Sequence, residues 1–356
     1  MCNGIVPPYL LRHLSRLERD DLSAAREAAR RALVSPFPRH APRPTAMPEV
    51  SPDATEPVGP DRTISDVQGT ETLPGVVVRR EGDEPTGDVA ADEAYDGLGA
   101  TYALFAEAFG RDSIDGAGLP LLASVHYGQQ YDNAFWDGDR MVFGDGDGQV
   151  FGRFTSSLSV IGHELAHGVT QHTADLVYEG QSGALNESLS DVFGALVEQH
   201  SRGQSAAEAS WLIGEGLFTD QVEGTALRSM KAPGTAYDDD VLGKDPQPAT
   251  MDDYIDTTDD NGGVHLNSGI PNHAFYLAAT ALGGNAWDKA GPIWYDALTG
   301  GLSSTATFAE FAAATTAAAA ERFGEGSPEQ AAVAEAWSTV GLPVGETGSI
   351  STGSTD

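Results

Sequence analysis

The sequence predicts an α+β fold in which a β-rich N-terminal part is followed by a mainly helical C-terminal part, with the chemistry where the two meet. Three observations point to it. Residues 62 to about 154 are rich in turns, with Gly-Asp runs between short segments of alternating polarity. From about 155 onward, apolar residues recur at helical spacing. At the switch lies His163-Glu164-Leu165-Ala166-His167, whose two histidines share one helix face.

Taken in order, residues 9 to 34 read as a helix carrying Leu10, Leu11, Leu14 and Leu17, then Leu22, Ala25, Ala29 and Leu33. A proline-rich connector from Pro36 to Pro60 follows, so residues 1–50 form a short segment joined to the remainder by a linker reaching about residue 61. Such a linker is semi-rigid, solvated and open to proteolysis, which suggests a propeptide. The alternative is a disordered or partner-binding arm.

Residues 62–170 form the β-rich part and end in the helix of the two histidines. Thr72 to Arg80, Ser124 to Tyr127 and Arg140 to Phe143 suit antiparallel strands, with one helix near Ala91 to Phe109. Leu158, Val160, Ile161, Leu165, Ala166 and Val169 make the histidine segment an amphipathic helix, with Thr155 or Ser156 as its N-cap. Residues 171–342 form the helical part. Its first helix runs from Ala184 to His200, and its last begins at Ser327-Pro328-Glu329-Gln330 and stops at Gly341. The tail, 343–356, is Gly, Ser and Thr and reads as disordered.

The net charge of −33, with only Lys231, Lys244 and Lys289 as lysines, repels phosphate backbones and anionic lipid, so no nucleic-acid or membrane partner is expected. Cys2 is the only cysteine, which excludes an intrachain disulfide. The N-terminus lacks a basic stretch before an apolar run and does not read as a standard signal peptide. Cytoplasmic synthesis is expected, with a non-standard export route left open. A monomer is expected.

His163 and His167 can converge on one ion, with Glu164 beside it. Glu187, in GALNESLSD, adds a carboxylate oxygen and leaves a fourth tetrahedral position free, the pattern of a catalytic zinc. Asp191, one turn further on, suits the second ring nitrogen of a ligating histidine. Peptide hydrolysis at such a site needs a base, and Glu164 is placed to take a proton from water and pass it to the leaving amine. It also needs donors for the charge that develops on the carbonyl oxygen. Tyr178 and His265 are candidates, with Asp260 reaching His265 across a Gly-Gly turn to hold the imidazole charged.

Together with DNAFWDGDRMVFGDGDG (132–148), LRSM (227–230) and DNGGVHLNSGIPNHAFYL (260–277), these motifs resemble the thermolysin family (M4) of zinc metallopeptidases over roughly residues 62–342. Val6-Pro7-Pro8-Tyr9-Leu10-Leu11 resembles the short propeptide of the protealysin subgroup. The resemblance implies a two-domain fold with zinc in the cleft between the domains. It implies a zinc-dependent neutral endopeptidase made as a zymogen, cutting before bulky apolar residues. His163, His167 and Glu187 match the zinc ligands, and Glu164 matches the base. Asp191 would orient His163, and Asn186 would orient His167. Tyr178 and His265 match the oxyanion donors, with Asp260 behind His265. Asn133, Ala134 and Arg228 match residues that hold the substrate backbone, and Phe151, Phe154, Val160, Ile213, Leu217 and Leu227 match the apolar specificity pocket.

One departure stands out. Ser159 and Ser210 replace two carboxylates of the family's double calcium site, leaving Glu198 and Glu215, so at most one weak calcium is expected. Expected partners are protein or peptide substrates, a proteinaceous inhibitor, and the chain's own N-terminal segment acting as inhibitor. In that role Pro7-Pro8-Tyr9 would lie near the cleft, and Cys2 is a candidate to approach the zinc. The competing readings are a peptidase restricted to small peptides and a non-catalytic interaction protein on the same scaffold.

Overall fold

Two short helices open the computed structural model, which describes residues 4–34 and 59–344: α1 (Pro8–Leu14) and α2 (Ser23–Val34). Cys2, most of the proline connector and nearly all of the 343–356 tail lie outside the described residues. The β-rich part contains β1 (Arg62–Asp66), β2 (Val76–Arg80), α3 (Val89–Phe109), β3 (Leu121–Val125), β4 (Ala134–Trp136) and β5 (Met141–Phe143). It leads into α4 (Leu158–Gln171). The second part holds α5 (Gly180–Arg202), the short pair β6 (Leu212–Ile213) and β7 (Arg228–Ser229), and then α6 (Asp260–Asn267) and α7 (Gly269–Leu282). It closes with α8 (Ala290–Thr299), α9 (Phe308–Phe323) and α10 (Pro328–Thr339).

The N-terminal segment is a helical hairpin, where a single helix over 9–34 was expected. The break has a local cause. Arg26 Nη1 donates to Leu17 O and Arg30 Nε to Ser15 O, so α2 side chains take carbonyls that a continuous helix would bond to its own backbone. Folding back lets Leu10, Leu11, Leu14, Leu22, Ala25 and Ala29 all be buried.

The five-stranded sheet has the order β2-β1-β3-β5-β4. It is mixed where antiparallel pairing was expected: β1/β2 and β4/β5 are antiparallel, while β1/β3 and β3/β5 are parallel. The reason is α3, a crossover helix that carries the chain back along the sheet so that β3 runs with β1. Asp88 caps α3 by accepting from Ala91 N. One outer edge of the sheet is β4, which faces the site.

The expected N-cap of α4 is also displaced. Thr155 and Ser156 sit in a 3-10 turn, Phe154–Ser156, because Thr155 donates to Glu93 on α3 and Ser156 donates to Arg153 O. The residue before α4 is Ser157.

Helices α4 and α5 cross at backbone contact. A Cβ on Gly194 would lie 2.4 Å from Ser159 O and 3.0 Å from His163 N, and one on Gly162 would lie 3.0 Å from Gly194 Cα. Only glycines permit this approach, which brings the metal-binding faces of the two helices together. Behind them, Trp294 and Trp337 stack at 6.1 Å and Trp337 Nε1 donates to Thr315 Oγ1, closing the helical core.

Gly194→Ala therefore forces α4 and α5 apart. Overpacking of this kind costs about 1–3 kcal/mol. A drop of that size in chemical denaturation, together with weaker zinc retention under a chelator, is expected; unchanged stability would contradict the packing account.

Candidate active site

On α4 the His163 and His167 rings lie one turn apart with Nε2 atoms 3.1 Å from each other. Glu187 on α5 faces both, its Oε2 3.6 Å from His163 Nε2 and its Oε1 3.5 Å from His167 Nε2. All three side chains are buried, and among the described residues they are the one His/Cys/Asp/Glu group of three or more placed to hold an ion. The set fits zinc. Tetrahedral donors at zinc-ligand distance stand about 3.3 Å apart. Glu187 Oε2 is buried with no hydrogen-bond partner, an orphan that a cation would satisfy.

The outer ring nitrogens are engaged, which leaves the Nε2 lone pairs directed at one point. His163 Nδ1 is 2.7 Å from Asp191 Oδ1, and His167 Nδ1 is 2.8 Å from Asn186 Oδ1 and 3.0 Å from Ser190 Oγ. Burial also pushes His167 down to about 4, keeping it neutral.

Asp191 has further partners. Arg228 on β7 donates through Nε and Nη2, each 2.8 Å from a carboxylate oxygen, and Asn272 Nδ2 on α7 donates to Oδ2 at 2.8 Å. Burial alone would raise this carboxyl, but Arg228 and His163 overcome it and hold Asp191 well below the usual carboxylate range. Ser190 was not among the expected residues, although it lies one turn from Asn186 on the same helix face. Asn272 lay inside a recognised motif with no role assigned.

Glu164 Oε2 accepts from Trp136 N on β4 at 3.0 Å. Burial, reinforced by the nearby Glu187, raises its pKa well above the ordinary value. Opposite stands His265. Asp260, Asn261, Gly262 and Gly263 all have positive φ, and this left-handed run folds Asp260 onto the imidazole. Asp260 Oδ1 lies 2.7 Å from His265 Nδ1, and Oδ2 accepts from His265 N at 2.9 Å. Burial would lower His265, but Asp260 and Glu187 outweigh it and raise it to about 9. Tyr178 OH lies 3.3 Å from His265 Nε2 and donates to Glu187 Oε1.

Asn133, Ala134 and Arg228 meet the N-terminal segment. Ile5 N donates to Ala134 O at 3.1 Å, Val6 N to Asn133 Oδ1 at 3.0 Å, and Arg228 Nη1 to Ile5 O at 3.1 Å. Gly4 pairs antiparallel with Phe135. The segment along the sheet edge is thus Gly4–Val6, with Pro7-Pro8-Tyr9, expected near the cleft, following directly after it. Pro7 and Pro8 have no N–H to offer a strand, and Pro8 starts α1. Phe151, Phe154, Val160, Ile213, Leu217 and Leu227 are all buried; Phe151 and Phe154 rings lie 5.7 Å apart, and Ile213 pairs with Arg228 across β6 and β7.

Away from the site, Arg202 Nη1 sits 2.6 Å from Glu198, and Ser159 Oγ accepts from Gly214 N. Glu198 is raised by burial despite Arg202, with Glu215 adding to the rise. A guanidinium and a serine hydroxyl thus stand beside the glutamate that would serve calcium.

Comparisons with known proteins agree with this geometry. The chain matches the family models described as the thermolysin metallopeptidase catalytic domain (63–171) and the thermolysin metallopeptidase alpha-helical domain (174–342). It is 50% identical over 343 residues to an extracellular metalloprotease of Pectobacterium carotovorum, covering 96% of each chain. It is 48% identical over 351 residues to Protease PrtS of Photorhabdus, covering 96% of this chain and 93% of the relative. The solved structure of the precursor of protealysin, a metalloproteinase from Serratia proteamaculans, superposes with a TM-score of 0.87 at 52% identity, covering 96% of this chain and 100% of that one.

Beside Asn133, Asp132 is fully buried. Burial first, then the adjacent Asp147, raises its pKa well above the ordinary value. The folded state therefore keeps a proton that the unfolded chain releases above about pH 3.9, so stability is present below that pH and falls as pH rises. Asp132→Asn should raise the denaturation midpoint at pH 7, with the difference from the parent vanishing near pH 3. An equal difference at both pH values would contradict this protonation state.

Proposed function

Because this chain belongs to the thermolysin family of metallopeptidases and is a metalloendopeptidase, we propose that it cuts proteins before bulky apolar residues and is made as a zymogen closed by its own N-terminal segment. The observation that carries the reading is the seat of Gly4–Val6. Three groups a substrate backbone would need, Asn133, the Ala134 carbonyl and Arg228, are each hydrogen-bonded to that segment. The buried hydrophobic side of α1 and α2 then holds it there.

In the open enzyme, a substrate strand adds to the edge of β4 through Asn133 and Ala134, and Arg228 grips the carbonyl after the scissile bond. The apolar group around Phe151, Phe154, Val160, Ile213, Leu217 and Leu227 receives the following side chain, which sets the preference for Leu, Phe or similar residues. His163, His167 and Glu187 would hold a zinc ion, which would supply Lewis acidity and make water acidic enough to react near neutral pH. Glu164 takes the water proton and returns it to the leaving nitrogen. His265, kept cationic by Asp260, and Tyr178 donate to the carbonyl oxygen as it becomes negative. Asp191 and Asn186 fix the ring orientations of His163 and His167. The Pectobacterium relative's name, extracellular, favours an exported destination.

Glu164→Gln should lower kcat on casein by about 10³-fold while leaving one zinc per chain. Retained activity would remove Glu164 from the mechanism. A chain cut in the connector near residue 60 should exceed the full-length chain on casein by at least about tenfold; equal rates would refute inhibition by the segment. Cleavage of a short blocked peptide with casein untouched would favour the small-peptide reading.

A further inference from the structure

The inhibitory segment is seated in the register of a substrate, and its register singles out one bond. Counting from the contacts, Arg228 holds the carbonyl of Ile5, Ala134 O accepts the N–H of Ile5, and Asn133 Oδ1 accepts the N–H of Val6. The carbonyl one residue earlier, Gly4 O, therefore falls at the oxyanion donors, 3.3 Å from His265 Nε2. Glu164 stands at the same edge, since its Oε2 accepts from Trp136 N, the neighbour of Phe135, which pairs with Gly4. Ile5 is apolar and wholly buried, as the residue after a scissile bond should be. Gly4 has a steric reason as well: a Cβ there would come within 2.6 Å of the Asn133 side chain, which Val6 N and Ala134 N hold in place.

We infer that the Gly4–Ile5 peptide bond is itself a substrate of this site, hydrolysed in place to leave Ile5 as a new N-terminus while the helical hairpin stays bound. This rests on the endopeptidase reading above. Water adds to the Gly4 carbonyl carbon, Glu164 carries the two water protons in turn to the Ile5 nitrogen, and the C–N bond breaks. The products are a Gly4 carboxylate and an Ile5 ammonium, with water the sole co-reactant. Everything downstream of the cut keeps its anchors. Val6 remains on Asn133, Leu10, Leu11 and Leu14 remain buried, and Gln149 Oε1 still accepts from Ala24 N and Ala25 N at the start of α2. The segment then inhibits as a trapped product, and connector cleavage is a separate step.

The test uses the full-length, zinc-loaded chain with its connector intact, followed by intact mass and N-terminal residue determination. The expected result is first-order loss of residues 1–4 at a rate independent of protein concentration, a new N-terminus at Ile5, and casein hydrolysis that stays low. The Glu164→Gln chain should keep residues 1–4. A second readout needs no metal: in zinc-free Glu164→Gln protein, the Ile5 and Val6 amides should exchange at least about 100-fold more slowly than free peptide amides. An N-terminus that stays intact while the connector-cut chain digests casein overturns this inference and leaves the endopeptidase reading standing. A rate rising with protein concentration overturns cleavage in place, and unprotected amides overturn the seat. No cleavage of casein or of the N-terminus overturns both readings.

Discussion

Everything at the site leans on the buried carboxylate of Asp191. Its two oxygens meet His163 from α4, Arg228 from β7 and Asn272 from α7, while Asp191 itself belongs to α5. A carboxylate without solvent is stable only when its lone pairs are filled, and here four hydrogen bonds from three elements fill them. One charge therefore ties the orientation of a metal-binding imidazole to the guanidinium that grips a peptide carbonyl. The metal-binding imidazole and the guanidinium that holds Ile5 O share a support. The glycine crossing of α4 and α5 is what lets this support be short, since Gly194 and Gly162 bring the backbones to contact.

The N-terminal segment lies along β4, at the edge of the sheet to which the proposed function brings a substrate. An edge strand presents unpaired backbone groups, and β4 offers them beside the catalytic side chains. Gly4–Val6 supplies the missing strand, and the prolines at 7 and 8 end it by removing the N–H groups that would extend the pairing. The hairpin of α1 and α2 converts this weak three-residue contact into a stable one by burying a leucine and alanine face and by resting on Gln149. Affinity and register come from different places: the helices supply burial, and the strand sets which bond faces His265.

Much of the site was legible in the sequence because its spacing is local. His163 and His167 are four apart, Glu187 and Asp191 are four apart, and Asp260 meets His265 across two glycines, so helix and turn geometry suffice to pair them. The resemblance to known metallopeptidases then supplied Arg228 and Asn133, which local spacing could not reach. What stayed hidden depends on tertiary competition for the same groups. Thr155 looked like an N-cap, but Glu93 on another helix takes its hydroxyl. The helix expected over 9–34 folds into two because arginines on its second half capture carbonyls of the first. Parallel pairing of β1 and β3 follows from a crossover that a reading of isolated strands does not contain. Ser190 and Asn272 were missed for the opposite reason, since each serves a residue whose role was already filled by another.

The claim that one carboxylate supports both metal and substrate is tested most directly by measuring zinc affinity in Asp191→Asn, a change that keeps the shape and removes the charge. Second partners of ligating histidines are worth about 10–100-fold in metal affinity. The account predicts a loss in that range, accompanied by faster amide exchange at Ile5, whose carbonyl Arg228 holds. Zinc affinity equal to that of the parent, with Ile5 as protected as before, would contradict it.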